Sequence, residues 1–301
     1  MAPPEAGLIV VWLVLGANGQ LGRDLGDVLA DQEVVALDLP DVDITDEESV
    51  RRAVAHSGAR VVVNAAAYTA VDAAEDDEDT ATLVNGVAPG IIATAVADSP
   101  GVRLVHISTD YVFPGDAASP YREDAEVGPR SAYGRSKAAG EAAVVDALPD
   151  RSYIVRTAWL YGEHGANFVK TMLRLEGERD TVSVVDDQTG QPTWSRDLAR
   201  QIRLLVEADP PAGVFHGTNS GTTTWFGLTR EIFRLSGADP DRVLPTTTDA
   251  FPRPAPRPAY SVLGHDRWDT IGVPPMRPWQ DALAEAMPRI MANQRGDSAA
   301  R

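Results

Sequence analysis

The chain contains no cysteine. Disulfides, thiolate metal sites and cysteine nucleophiles are therefore excluded, which suits a cytoplasmic enzyme. Positive charge is also scarce: 27 lysines and arginines stand against 44 aspartates and glutamates, a formal net charge of -17. That balance argues against general binding to nucleic acid or to an anionic membrane surface. A phosphate-bearing ligand has to be held by local arginines and helix N-termini. Long apolar runs are missing too. Leu8 to Leu15 reads LIVVWLVL, too short to span a bilayer and without the basic segment that opens a signal peptide. No internal repeat or low-complexity domain is visible. What is present is ordinary for a globular chain of 301 residues, with 44% hydrophobic and 24% charged residues, enough for a sizeable core in one large or two modest domains.

The same apolar run opens the first site. Its β-branched residues predict a strand, GANGQLG follows, and LGRDLGDVLA has a helical pattern. Strand, glycine turn and helix form the context of a dinucleotide loop. Gly16 permits the tight turn, Gly19 lets a pyrophosphate approach the backbone, and Gly22 allows helix and strand to pack closely. The pyrophosphate then meets free N–H groups at the positive end of the helix dipole. The spacing Gly-x-x-Gly-x-x-Gly is one residue longer than the usual fingerprint. EVVALD reads as the second strand, and Asp38 at its end is placed to hydrogen-bond the adenosine ribose.

The second site is SAYGRSKAAGE. Tyr133 and Lys137 are spaced i and i+4, so on a helix they share one face. A free tyrosine has a pKa of about 10, and a neighbouring ammonium favours phenolate and draws that value down. Ser108 or Thr109, ending the apolar run before them, supplies a hydroxyl to hold a substrate oxygen against the phenol. These are the parts of a carbonyl/alcohol redox site whose hydride comes from a cofactor.

Between the two sites, strands and helices alternate. ITDEESVRRAVA starts a helix with Thr45 as N-cap and Glu48 closing a capping box. Arg60 to Ala67 is the third strand and its exit. Asp72 to Asp98 is mostly helical, broken near the acidic EDDED and again at Pro89. Arg103 to Ser108 is the fourth strand, Ser131 to Leu148 a long helix, and Tyr153 to Arg156 the fifth strand. Such alternation predicts an α/β fold: a doubly wound parallel sheet of the Rossmann type, with ligands at the carboxyl ends of its strands. We assign residues 1–160 to this domain and 161–301 mainly to a smaller C-terminal substrate-binding lobe, with some segments returning to the sheet. In that lobe, helices are expected near Asn167–Leu175, Ser195–Val206 and Thr224–Leu235, and strands at VSVVDD and GVFHG. FPRPAPRPAYSVL is too proline-rich for a helix or central strand and should run over the surface or line a cleft. Asn293 to Arg301 reads as a frayed tail.

GANGQLG, NAAAYTAVDAAED, HISTDYVFPG, SAYGRSKAAGE, RTAWLYGEHGANFVKTML, DDQTGQPTW and RPAYSVL occur in this order. Together they resemble the dTDP-4-dehydrorhamnose reductases, extended short-chain dehydrogenases/reductases, from about Leu8 to Ile290. The resemblance implies reduction of the 4-keto group of dTDP-4-dehydro-L-rhamnose by NADH or NADPH. It places Gly16, Gly19, Gln20 and Leu21 in the pyrophosphate loop, Asp38 by the ribose, and Asp43 and Ile44 by the adenine. Ala65, Ala67, Tyr68 and Thr69 line the cofactor. Tyr133 is the proton donor, Lys137 binds the nicotinamide ribose and lowers the Tyr133 pKa, and Thr109 takes the hydroxyl position, with Asp110 beside it at the sugar. Trp159 and Asn167 fall where the family binds the sugar nucleotide, and Arg257 is the candidate for its diphosphate. The residue types leave alternatives: core packing for Trp159, a helix N-cap for Asn167.

Some members of the family bind magnesium through glutamates at a dimer interface. The matching positions here are Asp24, Asp197 and Arg289, two short carboxylates facing a guanidinium, a poor Mg²⁺ set. We therefore expect no essential metal, and a homodimer through another surface or none. Asp38 favours NADH, whereas Arg23 is placed to accept a 2′-phosphate. Related 4-ketoreductases of other dTDP-deoxysugars share these motifs. A close branch of the same fold serves as a non-catalytic regulatory subunit of methionine adenosyltransferase, a reading against which the intact Tyr133, Lys137 and Thr109 argue. In a dehydratase a second carboxylate would follow Asp110, where Tyr111 stands.

Overall fold

The structure is a computed structural model that describes residues 10–299. The start of the expected first strand, Leu8, and the last tail residues, 300 and 301, lie outside the described residues. Six parallel strands form the central sheet: β1 (Val11–Leu15), β2 (Glu33–Leu37), β3 (Val61–Asn64), β4 (Arg103–Thr109), β5 (Ser152–Thr157) and the later strand Gly213–His216. Across the sheet the order is Gly213–His216, β5, β4, β3, β1, β2. The order reverses at β1, and a doubly wound sheet takes its ligand at such a point.

Alternation along β1 sorts its side chains to two faces. Trp12 and Val14 join Val63, Leu25 and Leu198 in one core, beneath α1 (Gln20–Val28) and the later helix Ser195–Ala208, which pack on each other. Leu13 and Leu15 join Val62, Leu104 and Ile92 in the other. That face is covered by α2 (Glu47–Ser57), α4 (Ala88–Ala97) and α5 (Ala132–Ala147), with the short α3 (Glu78–Thr82) leading into α4. A third core, with Tyr161, Trp194, Ile232 and Phe233, holds the small lobe. It is built on α6 (Phe168–Glu178), α8 (Trp225–Ser236) and the C-terminal helix Trp279–Ala299, with Ser195–Ala208 as α7. Strand Val182–Val185 pairs in parallel with Val243–Thr246, a partner that its own pattern does not announce. After Tyr161 the chain thus returns both α7 and Gly213–His216 to the main sheet.

Three local expectations are corrected. The N-cap of α2 is Asp46, which accepts from Glu48 and Ser49 N–H, and not Thr45. The Thr45 hydroxyl is engaged by Asp43 at 2.7 Å. Helix is not broken at Pro89: a wide turn at Leu83–Val87 joins α3 to α4 without interruption, and Pro89 falls in the first turn of α4, where a missing N–H costs least. By length and composition the resulting helix Glu78–Ala97 would suit a bilayer, but half of it is buried in the fold. The supposed tail from Asn293 is helical through Ala299, and Gln294 donates to the Lys170 carbonyl at 3.1 Å.

Candidate active site

Register sets the ends of the strands in a row. Leu15 lies beside Leu37 and Asn64, Asn64 beside His106, and His106 beside Ile154. Gly16, Asp38 and Ala65 start just past this row, while β4 and β5 continue to Thr109 and Thr157. Gly16, Asp38, Ala65 and Ser108 therefore share one edge.

At the β1 end, Gly16 has φ +83°, and a Cβ there would lie 2.5 Å from the Ala66 nitrogen. A Cβ on Gly22 would lie 2.3 Å from the Gly16 oxygen. These two glycines are required by the packing of the chain itself. Gly19 differs: its Cβ would meet only the Gly16 oxygen, at 3.3 Å. No side chain caps α1 and no acid occupies its first turn, so its free N–H groups and dipole remain available to a phosphate. The Asp38 carboxylate is drawn to this turn by the N–H of Asn18 and of Leu39, each at 2.8 Å. Arg23 donates from the far side of the turn to the Asn18 carbonyl at 3.1 Å. Gly19, the uncapped N-terminus of α1 and the Asp38 carboxylate thus lie together at one turn, a setting that a dinucleotide fits. Asp43 is occupied by Thr45, and Ile44 is buried in the core.

Past β3, Ala65, Ala67 and Tyr68 are partly open and Thr69 is exposed. Asn85 holds this stretch: its amide accepts from Tyr68 N–H and donates to the Tyr68 carbonyl, both at 2.9 Å, and reaches the Ser136 hydroxyl at 3.1 Å. Sequence reasoning missed Asn85, which ties the cofactor-side loop to the helix of Tyr133. Its one local signal is its place in the wide turn Leu83–Val87, since such turns gather at functional sites.

Ser131 caps α5 by accepting from Gly134 N–H at 3.0 Å. A Cβ on Gly134 would lie 2.3 Å from the Tyr111 oxygen, so the helix lies directly on the β4 exit. Tyr133 stands beside Thr109, whose hydroxyl draws the phenol down, but burial outweighs that neighbour and pushes it up to about 12. The expected lowering by Lys137 is not what dominates. Lys137 is itself buried, donates to the Ile107 carbonyl at 2.7 Å, and is drawn down to about 8 by desolvation. Thr109, not Ser108, is the hydroxyl beside the phenol, because successive strand residues face opposite ways. One turn beyond Lys137, Glu141 forms a buried two-point pair with Arg156 at 2.9 and 2.7 Å.

Asp110 lies beside Thr109, which donates to it at 3.0 Å, and burial raises it to about 6. In an unfolded chain an aspartate titrates near 4, so the folded state binds the extra proton between about pH 4 and 6. The charged carboxylate therefore destabilises the fold progressively as pH rises through that window. Asp110→Asn should match the wild type at pH 4 and exceed its stability by on the order of 2–3 kcal/mol at pH 7. Urea unfolding at the two pH values checks this; a constant difference would refute it.

The remaining sugar-side candidates have separate settings. Asn167 does cap α6, accepting from Lys170 N–H at 3.0 Å, but its amide also donates to Gln20 in the glycine turn at 3.0 Å. The small lobe is thus fastened to the cofactor side. Trp159 is stacked on Trp225, 3.6 Å between centroids, and is partly exposed. Arg257 pairs with Asp72 at 2.9 Å and lines a cavity of about 140 Å³ with Tyr111, Phe113, Arg130 and Ser131. The proline-rich segment therefore lines a cleft. Asp24, Asp197 and Arg289 each have their own partners: Ser195, Arg277 with Arg200, and Glu163.

A dinucleotide turn, a parallel sheet and a Thr–Tyr–Lys set at one edge define an oxidoreductase of the short-chain dehydrogenase/reductase class. A family model described as the RmlD substrate binding domain matches residues 11–291. A dTDP-4-dehydrorhamnose reductase of Streptomyces griseus is 53% identical over 285 residues, 93% of each chain. A probable dTDP-4,6-dihydroxy-2-methyloxan-3-one 4-ketoreductase of Streptomyces antibioticus is 52% identical over 283 residues, covering 93% of this chain and 96% of the relative. The crystal structure of dTDP-4-dehydrorhamnose reductase from Bacillus anthracis in complex with NADP superposes with a TM-score of 0.89 at 37% identity, covering 93% of this chain and 99% of that one. The chain belongs to the RmlD family, that of the dTDP-4-dehydrorhamnose reductases among the extended short-chain dehydrogenases/reductases.

Proposed function

We propose that the protein reduces the 4-keto group of dTDP-4-dehydro-L-rhamnose to give dTDP-L-rhamnose, using NADPH or NADH. The observation that carries this reading is the buried phenol of Tyr133 set beside Thr109, with Lys137 one helical turn further on the same helix. A reduced nicotinamide, when bound, supplies the hydride. Thr109 holds the carbonyl oxygen against Tyr133, and the phenol passes its proton to that oxygen. Burial suits this direction, since a phenol held up to about 12 starts fully protonated at neutral pH. The Lys137 ammonium offsets the phenolate until solvent returns the proton. Asp110, Trp159 and Asn167 border the sugar, and Arg257 takes the diphosphate. Dependence on NAD(P)H and the lack of cysteine suit the cytoplasm.

A second reading, a 4-ketoreductase for another dTDP-deoxysugar, is favoured by the 52% identical Streptomyces antibioticus relative. The test is loss of NADPH or NADH absorbance on adding dTDP-4-dehydro-L-rhamnose, with product stereochemistry read by NMR. Stoichiometric oxidation with dTDP-L-rhamnose as product supports the first reading. Oxidation only with another dTDP-4-keto-sugar supports the second. Cofactor binding without turnover of any such sugar would leave a regulatory subunit. Running NADH and NADPH at equal concentration decides between Asp38 and Arg23 as the governing residue.

A further inference from the structure

Trp159 has φ +46°, a region that bulky L residues rarely occupy and that persists only where the surroundings enforce it. Register pairs Thr109 with Thr157, so Trp159 stands two residues past that row, on the edge where the reacting hydroxyls lie. Its indole is held by two groups that the reaction chemistry does not use. Trp225 stacks on it at 3.6 Å between centroids and 10° between planes. Gly190 backs it so closely that a Cβ there would lie 2.6 Å from the indole Cε2 and Cζ2.

Both groups are themselves anchored. The Trp225 Nε1 donates to Gln188 at 3.1 Å, Gln188 donates to Thr248 at 3.0 Å, and Phe168 packs on the Trp225 ring at 4.4 Å. Thr189, next to Gly190, donates to the Ala259 carbonyl at 2.8 Å and accepts from Ser261 N–H at 2.9 Å. The groups that hold the Trp159 indole are therefore themselves fixed by hydrogen bonds and ring packing.

We propose that Trp225 and Gly190 are positioning residues that hold the Trp159 indole as an apolar platform for one face of the hexose, and so set which dTDP-sugar the site accepts. This rests on the 4-ketoreductase reading above. A hexose presents C–H groups on its faces, and a flat, rigidly held ring matches such a face only in one orientation. Cutting the clamp lets the strained backbone relax and the ring turn away.

The experiment is steady-state kinetics with dTDP-4-dehydro-L-rhamnose, alongside NADPH affinity and Tm. Trp225→Leu should raise the sugar-nucleotide KM about tenfold, the scale of one lost aromatic stack, with kcat nearly unchanged and NADPH affinity intact. Gly190→Ala, which displaces the indole without removing a ring, should move KM in the same direction. Trp225→Phe should return most of the loss. A lower Tm with an unmoved KM in both Trp225→Leu and Gly190→Ala would show that the stack only packs the lobe, and would overturn the inference alone. A wild-type enzyme that reduces no dTDP-4-keto-sugar would overturn both this inference and the reading beneath it.

Discussion

Tyr133→Phe is expected to lose roughly 10²–10⁴-fold in turnover, the usual scale for removing a general acid, while still binding NADPH. The variant should fold. Its ring keeps the edge-on contact with Tyr111, 5.6 Å between centroids. Its loss leaves no orphaned group, because the Thr109 hydroxyl retains Asp110 at 3.0 Å. The glycine turn and Asp38 lie on other strands and are untouched. Single-turnover rates with saturating cofactor isolate the chemical step, and fluorescence titration measures NADPH affinity. Turnover close to wild type would remove Tyr133 from the reaction and leave Thr109 without a role in it.

The second large effect is on the fold. Arg156→Leu should cost about 3–5 kcal/mol, the scale for leaving a buried charge without its partner. Arg156 and Glu141 are 5% and 8% exposed, so water cannot replace the lost guanidinium. The substitution also removes a cation stacked 4.8 Å from the Phe113 ring. Glu141 sits on α5, one turn after Lys137, and Arg156 on β5, so the pair fixes the helix of Tyr133 and Lys137 to the sheet. Replacing both residues, as in Glu141→Leu with Arg156→Leu, should recover much of the loss, since it removes the unpaired charge. Urea unfolding of the single and double variants reads this directly. A single variant within about 1 kcal/mol of wild type would mean that the pair contributes specificity of packing and little stability.

The local features of this site are legible in the sequence. Glycine spacing after an apolar run marks a turn, because backbone sterics act within a few residues. The i, i+4 relation of Tyr133 and Lys137 follows from helix geometry alone. Alternation of strand and helix places Gly16, Asp38, Ala65 and Ser108 on one edge. Errors came where two local signals competed. Thr45 and Asp46 both suit an N-cap, and the choice fell to Asp46 because Asp43 engages the Thr45 hydroxyl. Pro89 is a helix breaker by rule, yet the wide turn before it places it in a first turn where its missing N–H costs little.

By itself, then, the chain's order of residues determined the alternating α/β architecture, the dinucleotide turn and the Tyr–Lys pair, since each depends on neighbours within a turn or a strand. Only the tertiary structure decided that Asn167 both caps α6 and reaches Gln20. It also decided that Asn85 ties Tyr68 to Ser136, and that Trp159 is clamped in a left-handed conformation. It set the proton affinities as well, through burial: Tyr133 and Asp110 are held up and Lys137 down. The physical reason is common to all of these. Desolvation and partner choice depend on groups brought together from distant parts of the chain, and no periodicity in the sequence records which of several available partners the packing selects.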